Sequence, residues 1–176
     1  TVWTPGETVI AGIGQGFVLT TPIQLSVMTA RLANGKKAVK AKLLSEAAKN
    51  SEDFLPLNIN GSVLKEIQRS MRSVISSGRG TARKYELNGY KLAGKTGTVQ
   101  VKRISKAERE EGIIDNIDRR WKDRDHALFV GYAPYDKPKY AISVIVEHGG
   151  SGSSMAAPIA RDILQFALER LSLIHI

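Results

Sequence analysis

The sequence predicts an α/β domain in which helices cover an antiparallel sheet. Residues 90–101, 126–133 and 139–147 are rich in β-branched, aromatic and other apolar residues, which is typical of strands. The last two are joined by a short segment with two prolines, residues 134–138, which predicts a hairpin. Elsewhere apolar residues recur at helical spacing behind recognisable helix starts, so helices are expected to cover this sheet.

Composition bounds the class of protein. The chain has 176 residues, of which 42% are hydrophobic and 24% charged, and these are ordinary values for one globular domain. It has no cysteine and only three widely spaced histidines, so neither a disulfide nor a cluster of metal ligands is expected. No apolar run is long enough for a membrane span. The net charge of +9 raises nucleic acid as a partner, but the basic residues are scattered without interleaved aromatics, so we expect none.

The first helix predicted along the chain begins at a strong start signal. Thr21 is an N-cap, Pro22 occupies the first turn and Gln24 completes a capping box. Gly35 is expected to end the helix, and Met28 is expected to fill the core. Its predicted apolar face consists of Ile23, Val27, Ala30, Met28 and Leu32.

The segments around this helix are predicted with simpler signals. Residues 3–7 read as a turn, residues 9–13 as an apolar strand and residues 14–16 as a glycine turn with positive φ. Residues 36–42 are basic and partly β-branched, which favours an edge strand with protective lysines. Residues 45–60 are polar and irregular, so a surface loop is expected.

Ser62 and Lys65 form the only Ser-x-x-Lys in the chain, the spacing of a serine nucleophile and its lysine base on one helical turn. A short pattern of two common residue types arises easily by chance. Ser62 also follows Asn-Gly and precedes helical periodicity, so we interpret it as an N-cap and not as a catalytic residue. The buried stripe of that helix is predicted to be Val63, Ile67, Met71 and Val74.

Turns and one charged excursion connect the remaining elements. Residues 76–81 are glycine-rich and end the second helix, and Asn88 with Gly89 predicts a hairpin-type turn. Arg83 and Lys84 are candidates for a substrate carboxylate, although plain solvent exposure is the simpler interpretation. Residues 102–124 carry charges of both signs. A helical turn is expected there at 106–111, and Trp121 is the one large apolar residue near the end of the excursion.

The C-terminal part contributes structure rather than chemistry in this interpretation. Asp125 beside His126 mimics an acid–base pair, but both His126 and His148 are expected to be hydrogen-bonded structural residues. Residues 149–154 predict a flexible loop, and Pro158 starts the last helix. The apolar side of that helix is predicted to be Ile159, Ile163, Phe166 and Leu171.

The candidate functional stretch is residues 94–98, on the first predicted strand. Lys95 supplies positive charge, and Thr96 and Thr98 supply hydroxyl donors for a carboxylate or phosphate. The glycines at 94 and 97 remove side chains where the backbone of a ligand could approach.

Residues 89–96 also satisfy the phosphate-loop pattern Gly-x4-Gly-Lys-Thr, which would indicate a nucleotide-binding protein. That motif must form a loop that opens a helix. Residues 90–93 favour extended backbone, and residues 97–101 make a poor helix start, so we expect no nucleotide site.

The second interpretation of the same stretch starts from Lys-Thr-Gly at 95–97, the third motif of penicillin-binding proteins and serine β-lactamases. It stands in a longer series: Gly-Ile-Gly-Gln-Gly at 12–16, Thr-Pro-Ile-Gln-Leu at 21–25, Gly-Thr-Ala at 80–82, Phe-Val-Gly-Tyr-Ala-Pro at 129–134 and Glu-His-Gly-Gly-Ser-Gly at 147–152. The series resembles the C-terminal half of a class B penicillin-binding protein transpeptidase domain, with most likeness to the elongation-specific (rod-shape) group, penicillin-binding protein 2. The resemblance covers nearly the whole chain.

This resemblance implies a penicillin-binding protein or serine β-lactamase-like fold. It also implies a serine-type D-Ala-D-Ala transpeptidase or carboxypeptidase that cross-links peptidoglycan stem peptides and binds β-lactams. By resemblance, Lys95 contributes charge and orders the proton network, and Thr96, Gly97 and Thr98 bind the carboxylate end of the substrate. The amide of Thr98 forms half of the oxyanion hole. The excursion at 102–124 would be a lid or an acceptor-peptide contact, with a surface loop as the alternative.

The chain departs from the family pattern because it lacks the nucleophile motif and contains no Ser-x-Asn. Residues 1–171 are therefore expected to be the C-terminal part of one transpeptidase domain, inactive alone. The whole protein is expected to be anchored in the bacterial inner membrane, with this domain in the periplasm and with partners in glycan polymerisation and elongation. A septal transpeptidase and a non-catalytic wall-binding module remain the alternatives. Residues 172–176 resemble translated adapter sequence, so a non-native tail is one interpretation of them.

Overall fold

The computed structural model describes residues 3–41, 54–102, 105–112 and 114–170. Its helices and strands are α1 (Pro5–Gly12), α2 (Pro22–Asn34), α3 (Gly61–Ser76), β1 (Ala93–Val99), α4 (Lys106–Glu111), β2 (His126–Ala133), β3 (Tyr140–Val146) and α5 (Ala157–Arg170). A 3-10 turn at Trp121–Asp123 precedes β2, and a π-helical turn at Gly152–Ala156 leads directly into α5. Within these described ranges, no helix has the length and apolar character needed to cross a membrane.

The sheet is antiparallel, as predicted, and its strand order is β1-β2-β3. Ala93 pairs with Tyr132 at one end of the β1–β2 ladder, and Val99 pairs with His126 at the other. β2 is therefore the central strand, and β1 is an edge strand.

The sheet carries hydrophobic clusters on both faces, because successive side chains of β2 point in opposite directions. Phe129 and Ala133 belong to the larger cluster, which includes the buried side of α5. Tyr132 points to the other face, where it packs with Ala93 of β1, Met71 of α3 and Ala33 of α2. Helices thus cover both faces of the sheet, which confirms the predicted fold class.

The predicted caps of α2 are confirmed. The Gln24 amide donates to the Thr21 hydroxyl at 3.3 Å, and the Thr21 amide donates to the Gln24 side-chain oxygen at 2.8 Å. Gly35 ends the helix with a φ of 68°, a left-handed conformation that glycine adopts without strain.

The predicted strand at 9–13 is wrong, because most of this segment belongs to α1. The start of α1 repeats the signature of α2: Thr4 is the N-cap, Pro5 follows it and Glu7 completes a capping box. The apolar content of the segment outweighed this cap signature in the prediction. The glycine turn that follows is confirmed, with φ values of 75° at Gly14 and 78° at Gly16.

The predicted buried faces of the helices are largely wrong. In α2 the buried residues are Thr29 and Ala33, whereas Met28 is 43% exposed and is not core filler. In α5 the predicted face points outward, with Phe166 60% exposed. The residues that α5 buries against the sheet are Ala157, Ala160, Leu164 and Leu168. The physical reason is that small residues let a helix approach the sheet closely, which apolar periodicity alone does not reveal.

In α3 the buried residues are Leu64, Met71 and Ile75, so Met71 of the predicted stripe is confirmed, whereas Leu64 and Ile75 were not predicted. Val63 is exposed, while Ile67 and Val74 are partly buried against the two clusters. The N-cap is Asn60 and not Ser62, because the Asn60 side chain accepts the Ser62 amide at 2.9 Å.

The connecting segments differ from the predictions in two places. The basic segment at 36–42 forms only an isolated bridge between Lys37 and Pro56 in its described part, and no edge strand. The flexible loop expected at 149–154 is helical from Gly152 onward. The helical turn at 106–111 is confirmed as α4. Most of the predicted loop at 45–60, and Leu171 with the tail at 172–176, lie outside the described residues.

Candidate functional site

One edge of β1 is open among the described residues, because β1 pairs with β2 on its other side. The Lys91 carbonyl accepts the amide of Tyr135 at 2.8 Å, on the β2 side of the chain. The peptide groups of successive residues in a strand point in alternating directions, so those of Leu92, Gly94, Thr96 and Thr98 point to the open edge. The backbone N–H of Thr98 therefore points to the open edge, where it could donate a hydrogen bond to an oxyanion.

An ion pair binds the peptide groups of Leu92, the first of these outward-facing residues. Arg72 of α3 lies 2.5 Å from Glu86 and donates to the Leu92 carbonyl at 2.7 Å. Glu86 accepts the Leu92 amide at 2.9 Å. We name this pair the Arg72–Glu86 clamp. It satisfies the peptide groups that a neighbouring strand would otherwise bind, so the open part of the edge begins at Gly94.

Lys95 brings positive charge to this edge. Its side chain starts opposite Val130, on the face that carries Tyr132. Its ammonium nevertheless reaches the open edge, because Nζ donates to the Thr96 carbonyl at 2.7 Å. No carboxylate in the described ranges forms an ion pair with Lys95, so its charge is available to an anion at the edge.

Thr96 and Thr98 share the other face of the strand, opposite Phe129 and Ala127. The Thr96 hydroxyl lies 3.0 Å from the hydroxyl of Thr81, in the segment that follows α3. The sequence identified Gly-Thr-Ala at 80–82 only as one motif of the family series and did not predict this contact. No local signal reveals it, since the two threonines are separated by the whole turn that precedes β1.

Gly94 does not leave room for a ligand, which corrects the prediction. A Cβ atom at Gly94 would lie 2.3 Å from Cζ of Phe129 and 2.6 Å from the Val130 carbonyl oxygen. A Cβ at Gly131 would lie 2.7 Å from the same ring. The two glycines therefore make room for Phe129 in the core.

Gly97 is less crowded on its own side-chain position, where a Cβ would meet the Leu128 Cβ at 3.2 Å. The neighbouring π-helical turn approaches its peptide group closely, since a Cβ at Gly152 would lie 2.3 Å from the Gly97 carbonyl oxygen. Gly97 is thus covered on one face by Gly152, and on the other face Leu128 is the one described residue within 4 Å of its Cβ position.

The nucleotide alternative is excluded by the backbone. Gly89 lies in a turn with a φ of 74°, and residues 93–96 belong to β1. A phosphate loop would require a loop that opens a helix, whereas this segment is extended and continues to Val99.

The other polar candidates have structural partners. The Ser62 hydroxyl donates to Asn60 at 2.7 Å and is exposed at the start of α3. Arg83 donates to the carbonyl of Gly80 at 3.4 Å, and Lys84 is exposed. None of these side chains is brought to the open edge by a contact in the described part of the chain.

Asp125 and the two histidines anchor the charged excursion, as expected of structural residues. Asp125 is only 5% exposed, accepts the Asn116 side chain at 2.9 Å and pairs with Arg119 at 3.4 Å. Nδ1 of His126 accepts the amide of His148 at 2.9 Å. No group of three or more metal-ligating side chains occurs among the described residues.

Trp121, at the end of the excursion, is 63% exposed, and its ring lies 4.4 Å from that of His148. His148 follows β3, and its ring also lies 4.7 Å from that of His126 at the start of β2. The contact with Trp121 holds the end of the excursion against the turn that follows β3.

Comparison with known proteins decides the family. The model described as the penicillin binding protein transpeptidase domain matches residues 2–165. The chain belongs to this family. The peptidoglycan D,D-transpeptidase MrdA of Haemophilus influenzae is 35% identical to it over 178 residues, which covers 96% of this chain and 27% of that protein. The chain thus spans about a quarter of the length of this relative.

Solved structures agree with the transpeptidase assignment. The crystal structure of Pseudomonas aeruginosa PBP2 in complex with WCK 5153 has 35% sequence identity and a TM-score of 0.67, and the match covers 93% of this chain and 32% of that one. The complex between PBP2 and MreC from Helicobacter pylori gives 29% identity and a TM-score of 0.74 over 100% of this chain and 29% of that one. The predicted family, the predicted fold and the likeness to penicillin-binding protein 2 are confirmed.

Proposed function

We propose that this chain is part of a peptidoglycan D,D-transpeptidase of the elongation-specific type, and that the open edge of β1 is the strand side of its active site. One observation carries the proposal. Lys95, the two threonines and the outward-directed amide of Thr98 all meet at the edge of β1 that no strand covers in the described part of the chain.

In this proposal the donor stem peptide lies along β1 as an added strand. Its backbone would pair with the outward-facing groups of Gly94, Thr96 and Thr98. The Arg72–Glu86 clamp occupies Leu92, so pairing cannot extend further in that direction.

The residues of β1 have distinct roles. The hydroxyls of Thr96 and Thr98 donate to the terminal carboxylate of the donor peptide or to the carboxylate of a β-lactam. The Thr98 amide donates to the oxyanion that forms when a serine attacks the carbonyl carbon. The Lys95 ammonium stabilises the anionic ligand and orders the proton network around the nucleophile. Neither a metal nor a cofactor is required for this acyl transfer.

The nucleophile, its lysine base and the second half of the oxyanion hole come from sequence outside these 176 residues. Ser62 and Lys65 do not replace them, because the Ser62 hydroxyl is bonded to Asn60 at the start of α3. We therefore expect this chain alone to form no covalent adduct with penicillin.

The setting of the whole protein follows from the same proposal. A transpeptidase of this type acts on peptidoglycan outside the cytoplasmic membrane, so we place this domain in the periplasm and the anchor in the inner membrane. The structure of PBP2 with MreC from Helicobacter pylori supports a partner in the elongation machinery. We expect that partner and a glycan polymerase to bind regions outside this chain.

The test uses the longer protein obtained by extending the gene upstream, incubated with a fluorescent penicillin. Lys95→Ala is compared with Lys137→Ala, which removes an exposed lysine from the β2–β3 hairpin. We expect strong labelling of the unsubstituted protein and of Lys137→Ala, a loss of about 100-fold or more in Lys95→Ala, and no labelling of the chain alone. Equal labelling of both variants, or time-dependent labelling of the chain alone, contradicts the proposal.

A further inference from the structure

Thr81 is held rigidly beside the candidate site. Its two neighbours, Gly80 and Ala82, are both buried. The Ala82 amide donates to the Val74 carbonyl at 3.0 Å, and the Gly80 amide donates to the Ser77 carbonyl at 2.8 Å. A Cβ at Gly80 would lie 2.3 Å from the Val74 carbonyl oxygen, so this turn is packed directly onto the end of α3. Thr81 is thus an exposed residue fixed between two buried ones.

The fixed position of Thr81 gives its hydroxyl a defined partner. Oγ1 of Thr81 lies 3.0 Å from Oγ1 of Thr96, across the turn that precedes β1. A hydroxyl has one proton to donate and can accept at its oxygen. If Thr96 is to donate to a carboxylate at the open edge, its oxygen is left to accept, and Thr81 is the donor within reach.

We propose that Thr81 is a positioning residue for carboxylate recognition at the β1 edge. Its hydroxyl donates to Thr96, which fixes the Thr96 rotamer and directs the Thr96 proton to the ligand. Each hydrogen bond in such a chain polarises the next, so the Thr96 hydroxyl becomes a better donor to an anion. The inference rests on the proposed function, since it concerns recognition of the substrate carboxylate at the same site.

Specificity for an acid over its ester follows from this arrangement. A carboxylate forms a stronger, charge-assisted hydrogen bond with the Thr96 hydroxyl than a neutral ester does. Removing the Thr81 hydroxyl therefore weakens binding of the acid more than binding of the ester. A residue that merely supports the fold would affect both ligands equally.

The test measures acylation rate constants of the upstream-extended protein with a penicillin and with the methyl ester of the same penicillin. Thr81→Val removes the hydroxyl and nearly keeps the shape, and Thr81→Ser keeps a hydroxyl. Ser73→Ala is the matched control, because the exposed Ser73 hydroxyl donates only to the Arg69 carbonyl within α3, at 3.0 Å. Thermal unfolding of each variant reports whether the fold is intact.

We expect Thr81→Val to slow acylation by the acid about fivefold to tenfold, which corresponds to the loss of the one hydrogen bond between Thr81 and Thr96. The rate of acylation by the ester should change less than about twofold. Thr81→Ser should restore most of the rate, and Ser73→Ala should leave it unchanged. Thr81→Ala should give the same acid–ester difference if Thr81→Val unfolds.

Three results overturn the inference. Equal slowing of acid and ester would assign Thr81 a purely structural role, and no slowing of either would remove the role altogether. A Thr81→Ser variant as slow as Thr81→Val with the acid would show that the hydroxyl is not what matters. The proposed function fails separately, when the unsubstituted extended protein is not acylated by the penicillin at all.

Discussion

The substitution Gly94→Ala tests how tightly the strand that carries the site is packed into the core. The new methyl group would lie 2.3 Å from Cζ and 2.9 Å from Cε1 of Phe129, and 2.6 Å from the Val130 carbonyl oxygen. Atoms of this kind do not approach so closely, and Phe129 is fully buried, so its ring cannot swing away. Overpacking of a core costs roughly 1–3 kcal/mol, and the backbone contact places this case at the upper end, about 3 kcal/mol.

Urea unfolding of the upstream-extended protein measures this loss, with Gly78→Ala as the control. A Cβ at Gly78 has no atom within 4 Å, and its φ is not positive, so alanine should be neutral there or stabilise by up to about 1 kcal/mol. The double variant Gly94→Ala/Phe129→Leu should recover only part of the loss, because the contact with the Val130 carbonyl remains. A Gly94→Ala variant within about 0.5 kcal/mol of the unsubstituted protein would refute this account of the packing.

Two further predictions concern the clamp and the core tyrosine. Arg72→Met should speed hydrogen exchange at the Leu92 amide and lower the free energy of unfolding by about 1–3 kcal/mol, because Arg72 is only 18% exposed and its ion pair is partly buried. Arg69→Met, at an exposed pair, should cost less than about 0.5 kcal/mol, and equal losses would contradict the clamp. Burial, and secondarily Coulombic repulsion from Tyr135, raise the pKa of Tyr132 far above its usual value. Ionisation therefore favours the unfolded chain, so the stabilising contribution of Tyr132 should decline above about pH 10, and Tyr132→Phe should show a shallower decline in urea unfolding across that range.

Local signals predicted the sheet well. The bounds predicted for β2 are those of the structure, because the strand begins after a charged segment and stops before Pro134. The caps of α2 were also predicted, since a capping box needs only residues within one turn. The capping box at Thr4 is equally complete, but the apolar content of residues 9–13 led to the wrong prediction of a strand there.

The buried face of α5 could not be predicted from periodicity, because its own apolar residues are distributed around most of the helix. The sheet selects Ala157 and Ala160 for the contact, and their small size lets the helix lie close to Phe129. Ile163 is left exposed as a result. Such a choice depends on the shape of the partner surface, which the helix sequence does not contain.

The candidate site was predicted in part. The sequence placed Lys95, Thr96 and Thr98 on one strand, and the structure adds that this strand is an open edge. The contact between Thr81 and Thr96 depends on how α3 packs against β1, so no spacing rule reveals it.

The central claim is that the open edge of β1 is the strand side of a transpeptidase active site. It is tested most directly by a crystal structure of the upstream-extended protein acylated by a penicillin. We predict that the acyl carbonyl oxygen lies within hydrogen-bonding distance of the Thr98 amide and that the penicillin carboxylate contacts the hydroxyls of Thr96 and Thr98. A penicillin bound covalently with its carbonyl oxygen and carboxylate away from this edge would contradict the account.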